Sequence, residues 1–332
     1  MDLSTKYLGL DLPHPFMPGA SPMVEDMDTV RRLEDGGAAA IVMNSLFEEQ
    51  IVHEQVATAA SLDGPADSFA EALSYFPEPD TLALGPDEYL EQVQRIREAV
   101  SVPVIGSLNG TTTGRWLDYA EQIEQAGAHA LELNVYQLAT DPEESGAELE
   151  KRTIEVVAEV RKRIGIPIAV KLSPFYSALA NFAKQLVAAG ADGLVIFNRF
   201  YQADIDVDEL EVERTLHLSD SSELLLRLRW LAVLSASVDT SLAVTGGVHS
   251  GLDAIKSVMT GAHAVQLVSA LFRRGPEYLT GIRRRVEEWL VEHEYESLDQ
   301  MRGSMNLARS PDPAAYERAN YMHILQGWTA EL

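Results

Sequence analysis

The 332-residue chain contains no cysteine. This absence excludes disulfides, thiolate nucleophiles and any iron–sulfur cluster held by thiolates of the chain itself. An electron relay of that kind has to belong to another protein, so we consider an external iron–sulfur or ferredoxin-type electron partner.

Positive charge is scarce as well. Lys and Arg number 26 against 51 Asp and Glu, which gives a formal net charge of −25. Such a surplus repels phosphate backbones and anionic lipid surfaces, so we expect no nucleic-acid partner and no membrane surface. To bind an anionic cofactor, the protein therefore needs backbone N–H groups or a few cationic side chains at the binding site.

Long hydrophobic runs are also missing. No window approaches the 18 or so uninterrupted apolar residues of a membrane span, and the start, MDLSTKYLGLDLPHPF, has neither a basic segment nor an apolar core typical of a secretory signal. We therefore expect a cytoplasmic protein without a membrane span.

Short apolar runs recur along the chain at regular intervals. Four follow a helix-ending glycine, and three others alternate with them after a first run at 15–21. Continuous apolar runs of this kind are typical of parallel strands buried on both faces. The runs are PFMPGAS from 15, GGAAAIVMN from 36, VPVIGSLNG from 102, AGAHALELN from 126, IPIAVKLSP from 166, AGADGLVIFN from 189, SLAVTGG from 241 and TGAHAVQLV from 260.

Amphipathic helical patterns lie between the runs, for example at 86–100, 115–127 and 151–165. Eight βα units predict an α/β fold, a (β/α)8 TIM barrel with an N-terminal extension; a doubly wound sheet is the rival. Intervals 45–86 and 199–222 are too long for one helix and are predicted to be insertions after strands 2 and 6. We expect one domain over 1–332, with a core at about 5–293 and a tail at 294–332 that packs on the barrel or forms oligomer contacts.

Nearly every predicted strand ends in a neutral hydrogen-bonding group, with one lysine among them. Because strand ends of a barrel share one mouth, this set suits a flat heteroaromatic ligand with many carbonyl and ring-nitrogen edges. Loops after strands 7 and 8 of such barrels commonly bind a phosphate. Here Gly246, Gly247 and Ser269 are the candidates to bind it. The strand-end residues are Ala20, Ser21, Asn44, Ser45, Ser107, Asn109, Asn134, Lys171, Ser173, Asn198, Gly246, Gly247, Val268 and Ser269.

Lys171 ends a strand too apolar to solvate it, so we expect an anionic partner. Three roles fit: a cation at the electron-rich edge of a reduced flavin, a Schiff-base lysine of an aldolase, or a structural ion pair with Glu132, which shares a face with Asn134. The first and third roles are compatible with each other.

Several segments together resemble the class 1 dihydroorotate dehydrogenases and the related flavin domain of dihydropyrimidine dehydrogenases. They are LGLDLPHPFMPGAS near the N-terminus, LELN of strand 4, VKLSP of strand 5, FN of strand 6 and TGGVHSGLDAIKSVMTGAHAVQLVSAL, which is the most specific. The resemblance spans about residues 5–305.

The resemblance implies an FMN-binding barrel that oxidises dihydroorotate or reduces a related pyrimidine. It places Ala20, Ser21 and Asn134 beside the isoalloxazine and Lys171 at the pyrimidine edge of the flavin. Asn198 is implied at both flavin and substrate. Gly246, Gly247, Val268 and Ser269 are implied as backbone donors to the FMN phosphate.

Residues on the substrate side depart from the family pattern. The family's proton-abstracting cysteine or serine falls at Gln137, whose amide cannot accept a proton near neutral pH. A substrate-binding asparagine falls at Ala139, and a lysine that would face an orotate carboxylate falls at Asn44. The Thr or Ser after the strand-6 asparagine is Arg199, which is a candidate to replace the charge missing at Asn44.

Four other residues are candidates for the missing base. Tyr136 and Tyr176 lie in loops after strands 4 and 5, and His217 and His249 in loops after strands 6 and 7. A histidine has a suitable unperturbed pKa, whereas a tyrosine needs its pKa lowered by a cation such as Arg199. A surface or packing role is the alternative for each.

We therefore interpret the chain as an FMN-dependent oxidoreductase acting on CH–CH groups of a small molecule, with pyrimidine metabolism and a homodimer as further expectations. Its catalytic candidates are Tyr136, Lys171 and His217, and its substrate candidates are Arg199 and Asn198. The alternative is an FMN-carrying electron-transfer or accessory subunit; a Schiff-base aldolase using Lys171 and a non-catalytic scaffold are less favoured.

Overall fold

The computed structural model describes residues 1–51, 85–112, 114, 117–199, 202–213, 216–317 and 319–327. An antiparallel hairpin of β1 (Thr5–Tyr7) and β2 (Leu10–Leu12) comes first. The remaining strands are β3 (Phe16–Pro18), β4 (Ile41–Val42), β5 (Leu46–Phe47), β6 (Val104–Asn109), β7 (Ala130–Asn134), β8 (Ile168–Leu172), β9 (Gly193–Ile196), β10 (Asp204–Asp206), β11 (Glu211–Glu213), β12 (Ser241–Thr245) and β13 (Ala264–Leu267).

The barrel contains eight parallel strands in the order β3-β13-β12-β9-β8-β7-β6-β4. The peptide N–H of Ala39, just before β4, donates to the carbonyl of Phe16 in β3 over 2.9 Å and joins the two ends of the sheet. β5 pairs with β6 beside β4. The predicted (β/α)8 barrel is confirmed, and all eight predicted runs contain a barrel strand.

Helices surround the strands. They are α1 (Met27–Asp35), α2 (Pro86–Ala99), α3 (Asp118–Gln125), α4 (Gly146–Arg163), α5 (Leu179–Ala188), α6 (Leu224–Ser237), α7 (Gly251–Met259), α8 (Ser269–Arg274), α9 (Tyr278–Glu292), α10 (Leu298–Met301) and α11 (Ala319–Gln326). In the described part of the chain, none is long and apolar enough to span a membrane.

The helix boundaries differ from the predicted ones where capping, not periodicity, decides. α4 begins before the predicted 151 because Ser145 and Glu148 form a reciprocal capping box that satisfies the free N–H groups of the first turn. α3 begins at Asp118, and the residues at 115 and 116 lie outside the described part.

The N-terminal hairpin fills the floor of the barrel. Tyr7 and Leu8 are fully buried in a cluster with small inward-facing strand residues such as Ala130, Ala169 and Ala264. Gly193 in β9 has no side chain because a Cβ there would lie 2.5 Å from the Leu8 side chain. The predicted N-terminal extension is thus part of the barrel core.

Of the two predicted insertions, the second contains β10 and β11, an exposed antiparallel hairpin after β9. The first contributes β5, and its residues 52–84 lie outside the described part. The tail packs on the helices of the barrel, where the Met305 N–H donates to the Met259 carbonyl over 2.8 Å and the Leu307 N–H donates to the Ala232 carbonyl over 3.0 Å.

Candidate active site

Buried polar side chains collect where the barrel strands end, at a surface we call the mouth. Alternation along each strand explains their place: β7 turns Ala130, Glu132 and Asn134 inward, with alanine at the floor and polar groups above it. Buried polar residues from the strands and their ends are Ser21, Ser107, Asn109, Glu132, Asn134, Lys171, Ser173, Thr245, Gln266 and Ser269.

Lys171 and Glu132 form an ion pair inside the barrel. The Nζ atom of Lys171 lies 3.1 Å from Oε1 of Glu132, and the two side chains are 7% and 1% exposed. The amide of Gln266 donates from Nε2 to Oε2 of Glu132 over 2.6 Å. The expected anionic partner of Lys171 is therefore present, and both carboxylate oxygens are satisfied. This pairing disfavours Schiff-base chemistry, which needs a lysine amine free to attack a carbonyl carbon.

A second carboxylate accepts a hydrogen bond from an amide at the mouth. Asn44, after β4, donates from Nδ2 to Oε1 of Glu25 over 3.2 Å. Burial raises the pKa of the Glu25 carboxyl. The position where the family pattern has a lysine is thus neutral here and faces an acid.

Four buried polar oxygens at or near the mouth have no hydrogen-bond partner among the described residues. They are Asn44 Oδ1, Asn134 Oδ1, Gln266 Oε1 and Ser21 Oγ. An unsatisfied buried polar atom costs free energy, so most such atoms are paired with protein, water or ligand. The carbonyl oxygens of Asn134 and Gln266, the Ser21 hydroxyl and the nearby Lys171 ammonium fit a flat polar heterocycle such as the flavin ring, which carries both N–H and carbonyl groups.

Ser45 and Ser107 join neighbouring strand ends through hydroxyls 2.8 Å apart. The Tyr89 hydroxyl of α2 donates to the Ser107 carbonyl and accepts from the Ser107 N–H, each over 2.9 Å. Burial raises the pKa of Tyr89. Asn109 and Asn134 are register partners of β6 and β7. These contacts fix β4, β6 and β7 at the mouth.

The predicted phosphate region lies at the ends of β12 and β13. Gly246 and Gly247 have φ of 81° and 79°, and a Cβ on Gly247 would lie 2.5 Å from the Leu224 nitrogen. Ser219 contacts both strand ends of this region: its N–H lies 3.2 Å from Ser269 Oγ, and its Oγ lies 3.5 Å from the Gly247 nitrogen. Val268 directly precedes α8.

Arg199 and Arg227 share the carboxylate of Glu223 between β9 and β12. Arg199 lies 3.3 Å from Glu223 Oε1, and Arg227 lies 3.9 Å from Oε2. The Nε atom of Arg227 also donates to the Thr245 carbonyl over 2.5 Å. The backbone of Asn198 is tied to β8, since its N–H donates to the Leu172 carbonyl over 2.7 Å.

The candidate bases occupy different environments. Tyr136 is half-buried in the loop after β7, next to Gln137, whereas His217 is exposed. Tyr176 packs between α4 and α5, with its ring 4.3 Å from that of Phe182 and a hydrogen bond to Thr153. Burial raises the pKa of Tyr176, so packing explains this side chain better than catalysis does.

His249 lies beside the phosphate region. Its Nε2 is 3.0 Å from Ser219 Oγ, and its backbone N–H donates to Asp253 over 3.0 Å. Burial and the nearby Arg273 lower the pKa of His249. The ring therefore supports the loop that carries Ser219.

Sequence reasoning missed Glu25, Gln266 and Glu223. Gln266 was detectable, because it is a polar residue inside the apolar run of β13 and shares a face with Ala264. Glu25 and Glu223 lie outside the strands, in or next to 3-10 turns at Pro22–Val24 and Ser221–Glu223, and no periodicity marks them.

Comparison with known proteins identifies the family of the chain. A family model described as dihydroorotate dehydrogenase matches residues 81–290. The chain belongs to the dihydroorotate dehydrogenase family.

Two relatives share the name "Dihydroorotate dehydrogenase B (NAD(+)), catalytic subunit". The protein of Methanocaldococcus jannaschii is 26% identical over 299 residues, covering 87% of this chain and 94% of the relative. The protein of Citrifermentans bemidjiense is 30% identical over 237 residues, covering 68% and 75%.

Proposed function

We propose that the protein is an FMN-dependent oxidoreductase that acts on a CH–CH bond of a small ring related to dihydroorotate. Family membership supports the oxidoreductase class. The observation that carries the cofactor is the set of unpartnered buried oxygens of Ser21, Asn134 and Gln266 at the mouth beside Lys171. The proposal treats residues 1–332 as one domain with its core at about 5–293.

FMN, when bound, supplies the electron acceptor for the oxidation. Asn134, Asn198, Ser21 and the strand ends around Ser107 would bind its ring. The Lys171 ammonium, which lies 3.1 Å from Glu132, would offer a positive charge to an electron-rich ring edge. Backbone N–H groups at Gly246, Gly247 and Ser269 would bind the phosphate, since glycine lets a ligand approach the backbone closely.

Proton transfer falls to Tyr136 in this proposal. It is half-buried in the loop after β7 and directly precedes Gln137, whose amide cannot accept a proton. His217 would be the alternative base, although it is exposed. Arg199, backed by Glu223 at 3.3 Å, would contact the substrate together with Asn198.

A second function is favoured by one observation. The relatives are named catalytic subunits, and this chain has no cysteine with which to hold an iron–sulfur cluster. An FMN-carrying subunit that exchanges electrons with an iron–sulfur partner is therefore the alternative, and a homodimer would be compatible with either function.

Anaerobic photoreduction of the FMN-loaded protein distinguishes the two functions. Reoxidation by a small unsaturated acceptor, such as orotate, its carboxamide or fumarate, supports the enzyme. Reoxidation by a ferredoxin-type protein alone supports the electron-transfer subunit. A reduced flavin that neither acceptor reoxidises contradicts both.

A further inference from the structure

Two amides at the mouth are each held by a carboxylate. Asn44 donates from Nδ2 to Glu25 over 3.2 Å, and Gln266 donates from Nε2 to Glu132 over 2.6 Å. An ionised carboxylate accepts hydrogen bonds and donates none, so it must face the NH2 end of an amide. Both amides are therefore oriented with their carbonyl oxygens away from the carboxylates.

These oriented carbonyl oxygens, Asn44 Oδ1 and Gln266 Oε1, are buried and have no partner among the described residues. Gln266 Oε1 is, like Asn134 Oδ1, among the atoms proposed to bind the flavin ring, which leaves Asn44 Oδ1 beside Glu25. We call Glu25 and Asn44 the acceptor edge. A ligand that satisfies this edge must present N–H or O–H donors to it.

The charge of the acceptor edge is not compensated. Within the described ranges, no Lys, Arg or His lies within 4.0 Å of the Glu25 carboxylate, whereas Lys171 and Arg199 are paired with Glu132 and Glu223. Arg199 follows β9, which in the strand order is four places from β4 in either direction and so on the opposite side of the barrel. A negatively charged group at the acceptor edge would meet oxygen atoms and a carboxylate.

We propose that the acceptor edge selects a substrate that is neutral or positively charged there and carries hydrogen-bond donors, with Glu25 as the specificity-determining residue. The inference rests on the proposed function. For a ring of the dihydroorotate type, it means a donor-bearing group such as a carboxamide in the place of the carboxylate. The Asn44 oxygen and the Glu25 carboxylate would repel the carboxylate of the anionic ring. Such repulsion contributes to specificity as much as an attractive contact does.

Calorimetric titration of the FMN-loaded full-length protein with orotate and with its carboxamide tests the proposal, since the two ligands differ only in that group. The carboxamide is expected to bind at least about tenfold more tightly, and a site built to accept hydrogen bonds can exceed this ratio. Orotate binding as tightly as the carboxamide would overturn the proposal, and so would the failure of both rings to bind.

Two variants assign the selectivity to the edge. Glu25→Gln removes the charge and lets the Asn44 amide turn, and Asn44→Lys neutralises Glu25 directly; each is expected to lower the carboxamide preference about tenfold. Glu91→Gln removes the same charge from an exposed position of α2 and should keep the wild-type ratio. An unchanged ratio in a folded Glu25→Gln or Asn44→Lys protein would refute the role of Glu25.

Flavin content, measured by visible absorption, separates failure of this inference from failure of the proposed function. If FMN binds and orotate is preferred, the inference is wrong and the function stands. If the protein takes up no FMN, the function is wrong, and the same two titrations on the flavin-free protein still measure the ratio that the inference predicts.

Discussion

The buried pair of Lys171 and Glu132 makes the sharpest energetic prediction. Lys171→Met removes the ammonium 3.1 Å from a carboxylate that is 1% exposed, which leaves Gln266 as the donor to a buried charge. Removing one partner of such a pair costs about 3–5 kcal/mol of unfolding free energy. For a chain of 332 residues, the entropy of unfolding at the midpoint converts this loss into a Tm about 4–7 °C lower.

Urea titration and differential scanning calorimetry of the flavin-free protein measure this effect. The double variant Lys171→Met/Glu132→Gln removes the buried charge along with its partner while retaining an acceptor for Gln266, so it is expected to recover more than half of the loss. A single variant as stable as wild type would refute the reasoning, and so would a double variant no more stable than the single one.

Three further predictions concern the phosphate region, pH and turnover. Gly247→Ala, whose Cβ would lie 2.5 Å from a backbone nitrogen at φ 79°, should abolish FMN binding in a fluorescence titration, whereas Gly146→Ala, with nothing within 4 Å of the new Cβ, should leave it unchanged. Burial lowers the pKa of His263 from 6.5 to about 4, so the unfolded state binds the proton of this side chain more tightly than the folded state does. The unfolding free energy should therefore decrease as the pH is lowered from 6.5 to 4, by up to about 1.4 kcal/mol per pH unit. Urea titrations at several pH values should show a smaller pH dependence for His263→Asn. Tyr136→Phe should bind FMN normally and lose turnover by about 10²-fold or more in a steady-state assay.

Each of these expectations has a contrary result. Equal FMN affinity of the Gly247→Ala and wild-type proteins would remove the glycine pair from the phosphate site. An identical pH slope in the His263→Asn protein would contradict the buried neutral histidine. Undiminished turnover of Tyr136→Phe would transfer the role of base to His217 or His249.

The barrel was predictable because its strands are buried on both faces and its helices end in glycine. β7 and β12, for example, lie inside the runs predicted from 126 and 241. The hairpins were not predicted, because β1 and β2 have only three residues each and depend on the space that small residues leave at the barrel floor. The start of α4 was missed because it depends on a cap formed by Ser145 and Glu148.

The site was predictable where side chains alternate along strands. That rule indicated Asn134 and Lys171 and placed Glu132 beside them as a possible partner. It did not indicate Glu25, which reaches Asn44 from a turn, because which side chains of two loops meet is decided by tertiary packing. The orientation of an amide is likewise set by its neighbour and not by its own sequence position.

The central claim is that the mouth binds FMN. It is tested most directly by adding FMN to the purified protein, removing free flavin by gel filtration, and measuring the visible spectrum and the flavin-to-protein ratio. The account predicts flavin absorption bands with about one FMN per chain, and weaker retention in the Lys171→Met variant. A colourless wild-type protein that retains no flavin would contradict it.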